Sequence, residues 1–293
     1  MVKRYSEDEL AEYAAFYEEH GVVRLPGLIE PEWVEKILAT IDEVAKLADE
    51  PRKPGEDLSF GRADGRMTIR YMWREIPAIR DFMLRRDLAE PIARIIDSKT
   101  LRFWFDLTFI HQKSQEGKTG PGTAWHHDCS SFDFKGMKLA SLWMAMTTCD
   151  AERSRLLFID KSHKTVPGFY RAPSAVYHSA ATKGKGEREK DGFLDCPDYD
   201  QLVASGQEKI LTWDCEPGDA IILHPYTVHG AKGNVGSAAH GRRVAITTRW
   251  LGDDVRYLPT PYINNNRAPG LAAADFPLGA LPKGDYFPLV WDQ

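Results

Sequence analysis

The stretch Ala124-Trp-His-His-Asp-Cys-Ser-Ser-Phe-Asp-Phe134 places two of the chain's nine histidines side by side, directly before an acid. In an extended strand, residues two apart project to one face, so His126 and Asp128 point together while His127 points away. One imidazole and one carboxylate converging on a point can ligate a metal, but the same pair also occurs as a surface or capping pair, and a third ligand is needed. It is offered by Glu216-Pro-Gly-Asp-Ala-Ile-Ile-Leu-His-Pro-Tyr-Thr-Val-His-Gly-Ala-Lys-Gly-Asn234, where a Pro-Gly-Asp turn feeds an apolar strand ending at His229. His224 competes for this role. Its position after an apolar run and before Pro225 reads as a strand-end histidine satisfied by backbone, whereas His229 sits among small residues that let its ring reach inward. Two histidines and a carboxylate make the facial triad of non-haem Fe(II) oxygenases, which leaves the opposite octahedral face open for cosubstrate and dioxygen.

Such an iron needs an electron donor. 2-Oxoglutarate serves by chelating the metal at one end while its distal carboxylate calls for a bidentate guanidinium, which lysine reproduces poorly. Gly241-Arg-Arg-Val-Ala-Ile-Thr-Thr-Arg-Trp250 supplies candidates after His229. Arg243, Ala245, Thr247 and Arg249 share one face of that strand, and Arg242, Val244, Ile246, Thr248 and Trp250 share the other. Alternation alone leaves both faces open, and any one of these arginines also reads as a solvated strand charge.

The elements that must position these groups run helices first, strands later. Ser6 caps a helix over residues 6 to 20, with Glu9 at the capping-box position and Gly21 as its stop. Val22 to Leu25 is a short strand, Ile29 to Leu47 a second helix, and residues 76 to 97 a further helical stretch in which Pro91 starts a new segment. From Leu101 the pattern becomes strands: Leu101 to His111, Lys138 to Thr148, Arg155 to Ile159, Ala220 to Leu223 and Arg243 to Trp250. Short strands without intervening helices pair antiparallel, as a sandwich or barrel. Residues 165 to 208, including the charged run Lys183 to Lys190, interrupt the series as an excursion of the kind that covers active sites.

Length and composition agree with one large domain. The chain has 293 residues, 43% of them apolar, a net charge of -5 and no long Gly/Ser or Pro-rich linker. The expected layout is one domain over 1–293, with mainly helical support over 1–100, a barrel core over 101–260 and a tail over 261–293. No apolar run approaches the length of a membrane span, and the charged beginning, Met-Val-Lys-Arg-Tyr-Ser-Glu-Asp, is unlike a secretory signal, so a soluble cytoplasmic protein is expected. Four cysteines without paired spacing argue for reduced thiols, and the absence of a basic stripe argues against nucleic acid as a partner. The sequence leaves the oligomeric state open.

The order Trp125-His126-His127-Asp128, Trp143-Met-Ala-Met146, Leu156-Leu-Phe-Ile-Asp-Lys-Ser-His163, Pro217-Gly-Asp219, His229, Asn234 and Arg243 resembles the phytanoyl-CoA dioxygenase family of Fe(II)/2-oxoglutarate oxygenases. The segment His20-Gly-Val-Val-Arg-Leu-Pro-Gly-Leu-Ile-Glu-Pro-Glu-Trp33 is similar to that family's opening. The resemblance implies a double-stranded β-helix, a cupin-like jelly-roll barrel with the triad at its open mouth. It implies Fe(II) on His126, Asp128 and His229, and 2-oxoglutarate on Arg243, with Arg242 second. It further implies release of succinate and carbon dioxide, with hydroxylation as the expected outcome and desaturation, epoxidation, ring formation or epimerisation on the same ligands as others. This chain departs from the family in Ala151-Glu-Arg-Ser-Arg155, where a Gly-rich stretch is usual, and in Ala231, where many relatives carry a hydroxyl. The hydroxyl's hydrogen bond to the cosubstrate then falls to Thr123 or Thr247. Retention of Asp128 speaks against a halide site.

For the substrate, a small-molecule metabolite is expected. Tyr71, Trp73, Phe105, Phe132, Phe134 and Trp143 are aromatic positions near the predicted mouth or on barrel strands, and Arg70, Arg74 and the 183–190 run are candidates to meet an anion. No adenine-binding signature points to a CoA thioester. Two rivals stand beside this reading: a β-barrel binding protein without turnover, marked by absence of succinate formation, and a metal enzyme of the same fold that does not use 2-oxoglutarate, for which loss of Arg243 would change little.

Overall fold

The computed structural model describes residues 2–63, 65–112, 116–166, 168–170, 193–235, 241–259 and 277–293. Helix α1 (Glu7–His20) starts where expected: Ser6 Oγ accepts the Glu9 N–H at 3.2 Å, the Glu9 carboxylate accepts the Ser6 N–H at 2.8 Å, and Gly21 ends the helix at φ 75°. A side chain at Gly21 would be strained and would also collide with His163 and Thr227, so the turn from α1 into β1 (Val22–Leu25) requires glycine. Helix α2 (Pro31–Lys46) buries Val34, Ile37, Ile41 and Val44, the stripe its periodicity predicts.

Next come the hairpin β2 (Ser59–Ala63) and β3 (Arg66–Arg70), then α3 (Met72–Glu75), α4 (Pro77–Met83) and α5 (Arg86–Ile95). The break in this helical stretch falls at Leu84 and Arg85, not at the proline. Pro91 lies inside α5, fully packed, where the missing N–H costs one intrahelical bond; the expected restart at Pro91 is therefore corrected. The strands follow as β4 (Thr100–His111), β5 (Thr123–His126), β6 (Phe134–Lys135), β7 (Leu139–Ala145) and β8 (Leu156–Ile159). After α6 (Ser162–Thr165) and α7 (Tyr199–Ala204) come β9 (Ile210–Thr212), β10 (Ala220–Leu223), β11 (His229–Ala231), β12 (Arg243–Leu251), β13 (Arg256–Tyr257) and β14 (Leu289–Asp292). Residues 171–192 of the expected 165–208 excursion, its 183–190 run included, lie outside the described residues.

Pairing is antiparallel throughout the sheets. The large sheet runs β1-β10-β7-β12-β4-β3-β2, with β14 on the first part of β4, and the small sheet runs β5-β11-β8-β9. Each central strand of the large sheet is buried on both sides, and alternation sorts its residues between two layers. In β10, Ala220 and Ile222 join the helix-side core with Ile37, Ile41, Ile79 and Phe82, while Ile221 and Leu223 face the small sheet with Trp143 and Phe158. Two facing antiparallel sheets, open at the mouth and backed by helices, are the double-stranded β-helix. Among the described residues no helix is long and apolar enough to cross a membrane.

Candidate metal and cosubstrate site

His126 ends β5 and His229 begins β11, and the two residues are direct partners in the ladder of the small sheet. Their rings lie 4.3 Å apart between centroids. The chain stays extended through His127 and then turns into a single 3-10 turn, Asp128–Ser131, tied down by Ser131 Oγ donating to the Asp128 carbonyl at 2.9 Å and by the Cys129 N–H donating to the Pro225 carbonyl at 2.9 Å. Asp128 Oδ1 thereby lies 3.9 Å from His126 Nε2 and 3.9 Å from His229 Nε2. One ligand atom from each of His126, Asp128 and His229 lies within 4.8 Å of the others.

The partners behind these three groups decide which atoms face inward. His126 Nδ1 contacts the Ala124 carbonyl at 2.8 Å and His229 Nδ1 the Thr227 carbonyl at 2.9 Å. A carbonyl only accepts, so both Nδ1 atoms carry the proton and both Nε2 lone pairs are left for a metal. Asp128 Oδ2 accepts from Ser141 Oγ at 3.1 Å and pairs with Arg249 at 2.9 Å, which leaves Oδ1 toward the imidazoles. Burial alone would raise the Asp128 carboxyl, but Arg249, the two imidazoles and the Ser141 hydroxyl outweigh it and hold the group down at about 2. Burial, with the neighbouring His126, pulls His229 down to about 4, so its ring is neutral near pH 7. Two imidazoles that turn Nε2 inward and a fixed anion are the donor set a divalent iron needs.

These groups open onto a cavity of about 440 Å³ between the sheets. Its other wall is the inner face of the large sheet, where register sets side chains in rows: Arg66 on β3 faces His111 on β4, which faces Arg243 on β12, and Arg70 faces Leu107, which faces Thr247. Arg243 is 3% exposed, stacks over Trp143 at 5.3 Å and donates to the Ser154 carbonyl at 3.3 Å. Its Nε has no hydrogen-bond partner, and among the described residues no carboxylate pairs with it. A buried guanidinium in that condition is a place for an anion. Burial, then the charges of Arg243 and Arg66, pulls His111 down to about 3, so it stands neutral between the two arginines.

Of the expected site residues, His126, Asp128, His229, Thr123, Thr247 and Arg243 all line this one cavity. Arg242 points to the other side of β12 and pairs with Asp42 at 2.5 Å. His224 stands apart from the triad: its Nδ1 accepts the Tyr226 N–H at 3.2 Å, and its ring packs on Tyr226 and His163. His127 faces away, as alternation requires, and its Nε2 accepts the Tyr170 N–H at 3.0 Å. Phe132, Trp143 and Arg70 line the cavity, whereas Tyr71, Trp73, Phe105 and Phe134 are core and Arg74 pairs with Asp57 at 3.1 Å. Sequence reasoning assigned no role to Arg249 and passed over Ser141. The signal for Arg249 was present: if Arg243 faces inward, the residue six further along the same strand does too.

The chain matches the family model "Phytanoyl-CoA dioxygenase (PhyH)" over residues 17–244. No curated protein matches it in sequence. Among solved structures, it resembles the epimerase SnoN from nogalamycin biosynthesis, seen in complex with Fe3+, alpha ketoglutarate and nogalamycin RO, at 21% identity and TM-score 0.71 over 97% of this chain and 100% of that one. It also resembles the carbocyclase SnoK of the same biosynthesis, at 18% identity and TM-score 0.67 over 98% and 96% of the two chains. EctD from S. alaskensis, with 2-oxoglutarate and 5-hydroxyectoine, aligns at 16% identity and TM-score 0.62 over 94% and 89%.

Proposed function

Because the chain belongs to the phytanoyl-CoA dioxygenase family, and with it to the Fe(II)- and 2-oxoglutarate-dependent oxygenases, we propose that it hydroxylates a small-molecule metabolite with release of succinate and carbon dioxide. His126, Asp128 and His229 are the residues that would hold Fe(II), and Arg243 would hold the distal carboxylate of 2-oxoglutarate. When bound, the iron and its cosubstrate supply the activation of dioxygen and the oxidising power for the substrate C–H bond. The observation that carries this reading is that one cavity contains both a His/Asp/His cluster and a buried guanidinium paired with no carboxylate among the described residues.

The chain's own groups do the positioning. The carbonyls of Ala124 and Thr227 fix the tautomers of the two histidines, and Arg249 with Ser141 turns Asp128 so that one oxygen is presented. Ala231 offers no hydroxyl, and of the two threonines weighed as its replacement, Thr247 already accepts from Arg249. Thr123, the cross-strand partner of Ala231, lines the same cavity and would offer its hydroxyl to a cosubstrate oxygen. Trp143, Leu223 and Phe132 keep that part of the wall apolar and exclude water.

The test is anaerobic titration of the metal-free protein with Fe(II) and then 2-oxoglutarate, following the visible charge-transfer band of the chelate. The band should form in the parent and vanish in His126→Ala. Arg243→Ala should bind iron but need roughly 10- to 150-fold more 2-oxoglutarate, the equivalent of losing about 1.5–3 kcal/mol from charged hydrogen bonds. Iron binding without any band would move the assignment to a metal enzyme with another cosubstrate. With a substrate in hand, a product that gains one oxygen atom supports hydroxylation, whereas one that loses two hydrogens or keeps its mass replaces it by ring closure or epimerisation.

A further inference from the structure

The guanidinium proposed to anchor the cosubstrate has a neighbour in the same condition as itself. Arg243 Nη2 donates to the Ser154 carbonyl at 3.3 Å, and Arg243 Nε has no hydrogen-bond partner. The Cys149 thiol beside it is kept neutral by burial, and His111, its partner across the ladder, is neutral as well, so neither supplies an anion. Ser154 is 1% exposed and lines the cavity, and its Oγ likewise has no partner. Buried polar atoms are normally satisfied. Two unsatisfied ones, on touching residues at a cavity wall, mark a place where a ligand completes them.

The backbone says why a serine stands there at some cost. Ser154 has φ 55°, the left-handed region in which glycine is the ordinary occupant. Among the described residues Tyr71, Asp97, Ser154 and Lys161 are the non-glycine residues at positive φ, and of these Ser154 alone lines the cavity. Local bonds impose the conformation: Glu152 and Arg153 donate their N–H groups to Asp150 Oδ1 at 3.1 and 2.9 Å, and the Arg155 N–H donates to the Asp150 carbonyl at 3.0 Å. Before the turn, Cys149 and Cys215 exchange backbone bonds of 2.8 Å, and after it β8 begins at Leu156. This is the stretch Ala151-Glu-Arg-Ser-Arg155, which stands where the family usually has glycines. A hydroxyl in place of a hydrogen strains the turn and makes no bond within the protein, so its use lies with something that enters the cavity.

We infer that Ser154 is a ligand of the cosubstrate's distal carboxylate, its hydroxyl donating to one oxygen while the guanidinium of Arg243 holds the same group. The inference rests on the oxygenase reading and adds a residue to it. Ala231 offers no hydroxyl from β11, and the strained turn before β8 carries one to the anchor from another direction. A serine Oγ moves among three staggered positions about χ1, so the bond forms without moving the turn. Its acceptor is charged, and such a bond is stronger than one between neutral groups. Thr123, on the small sheet, is then left to a different cosubstrate oxygen.

The experiment uses the full chain with Fe(II), held anaerobic, and the variant Ser154→Gly, which removes the hydroxyl while keeping a residue that adopts this φ without strain. 2-Oxoglutarate is titrated by the chelate band, beside 2-oxopentanoate, which has the same chelating end and no distal carboxylate. The variant should need roughly 10- to 150-fold more 2-oxoglutarate, the loss of one hydrogen bond to a charged group. With 2-oxopentanoate the two proteins should behave alike, and in denaturant the ligand-free variant should unfold at or above the midpoint of the parent. 2-Oxoglutarate bound by the variant within about threefold of the parent overturns the inference. So does an equal loss for both oxo acids, or a loss accompanied by a lower unfolding midpoint, since either makes Ser154 a support of the turn alone. If the parent forms no band with 2-oxoglutarate although iron binds, the oxygenase reading itself fails and takes the inference with it, a result distinct from a parent that forms the band and a variant that matches it.

Discussion

Two of the buried carboxylates, Asp106 and Asp128, stand in surroundings that could hardly differ more. Asp106, on the helix side of β4, accepts the N–H groups of Met72 at 3.2 Å and Trp73 at 3.0 Å and so caps α3. Burial pushes its carboxyl up to about 7 against those two bonds. Asp128, across the sheet, meets Arg249, Ser141 and two imidazoles, and stays near 2 although it too is buried. At Asp106 the backbone N–H bonds do not offset burial, whereas at Asp128 the guanidinium, the imidazoles and a hydroxyl together do. Depth therefore does not separate Asp106 from Asp128; their partners do. Asp106 joins a helix to a sheet, whereas Asp128 is an anion held ready.

The largest expected effect that would test this contrast is in Asp128→Asn. It removes the anion and strands Arg249, and Fe(II) affinity measured by anaerobic titration should fall by more than about 100-fold, beyond the usual loss for a supporting partner. Retention of iron within tenfold would break the assignment of Asp128 as a ligand. Arg249→Met should come next, lowering Fe(II) affinity roughly 10- to 100-fold, with Arg249→Lys recovering part of it. If Met at 249 binds iron as the parent does, the arginine packs on Phe132 and does nothing for the ligand.

The smallest effect on iron should be that of Asp106→Asn, within about twofold. Its consequence is for stability. The folded chain keeps the Asp106 proton up to about pH 7, while the unfolded chain gives it up near the ordinary value of 3.8. Stability contributed by this group is thus greatest below that lower value and is lost as pH rises toward 7, by up to about 1.4 kcal/mol per pH unit. Denaturant unfolding across this window should show the decline in the parent and a flatter curve in the variant. Equal slopes would mean that Asp106 is ionised in the native state.

Much of this arrangement was legible in the chain itself. The aromatic and β-branched runs gave β4, β7, β10 and β12 nearly to the residue, and the Ser6 and Glu9 pair gave the start of α1, because these signals are local. The hairpin of β2 and β3 was missed: Phe-Gly-Arg-Ala and Arg-Met-Thr-Ile-Arg carry too many charges and small residues to read as strands, and they pair because β4 offers an edge. The choice between Arg242 and Arg243 was beyond pattern, since the strand is covered on both faces and polarity marks neither side; what separates them is Asp42 on α2, far away in sequence. Arg249 was passed over for the related reason that a charge in a strand reads as solvated until its counter-ion is located. Pro91 was misplaced because tertiary packing tolerated the bond its ring forfeits.

The division of labour between the sheets has one more consequence. His126 and His229 belong to the small sheet, and Arg243 and Thr247 to the large one. A cosubstrate reaching from one group to the other is a brace across the sandwich, and its binding energy is withdrawn from any opening that parts the layers. At a hundredfold excess over its dissociation constant this linkage amounts to about 2.7 kcal/mol. Holo protein should then exchange amide hydrogens more slowly in β5, β11 and β12 together, as a single cooperative unit, while α1 and α2, on the far side of the large sheet, keep the rates of the empty chain.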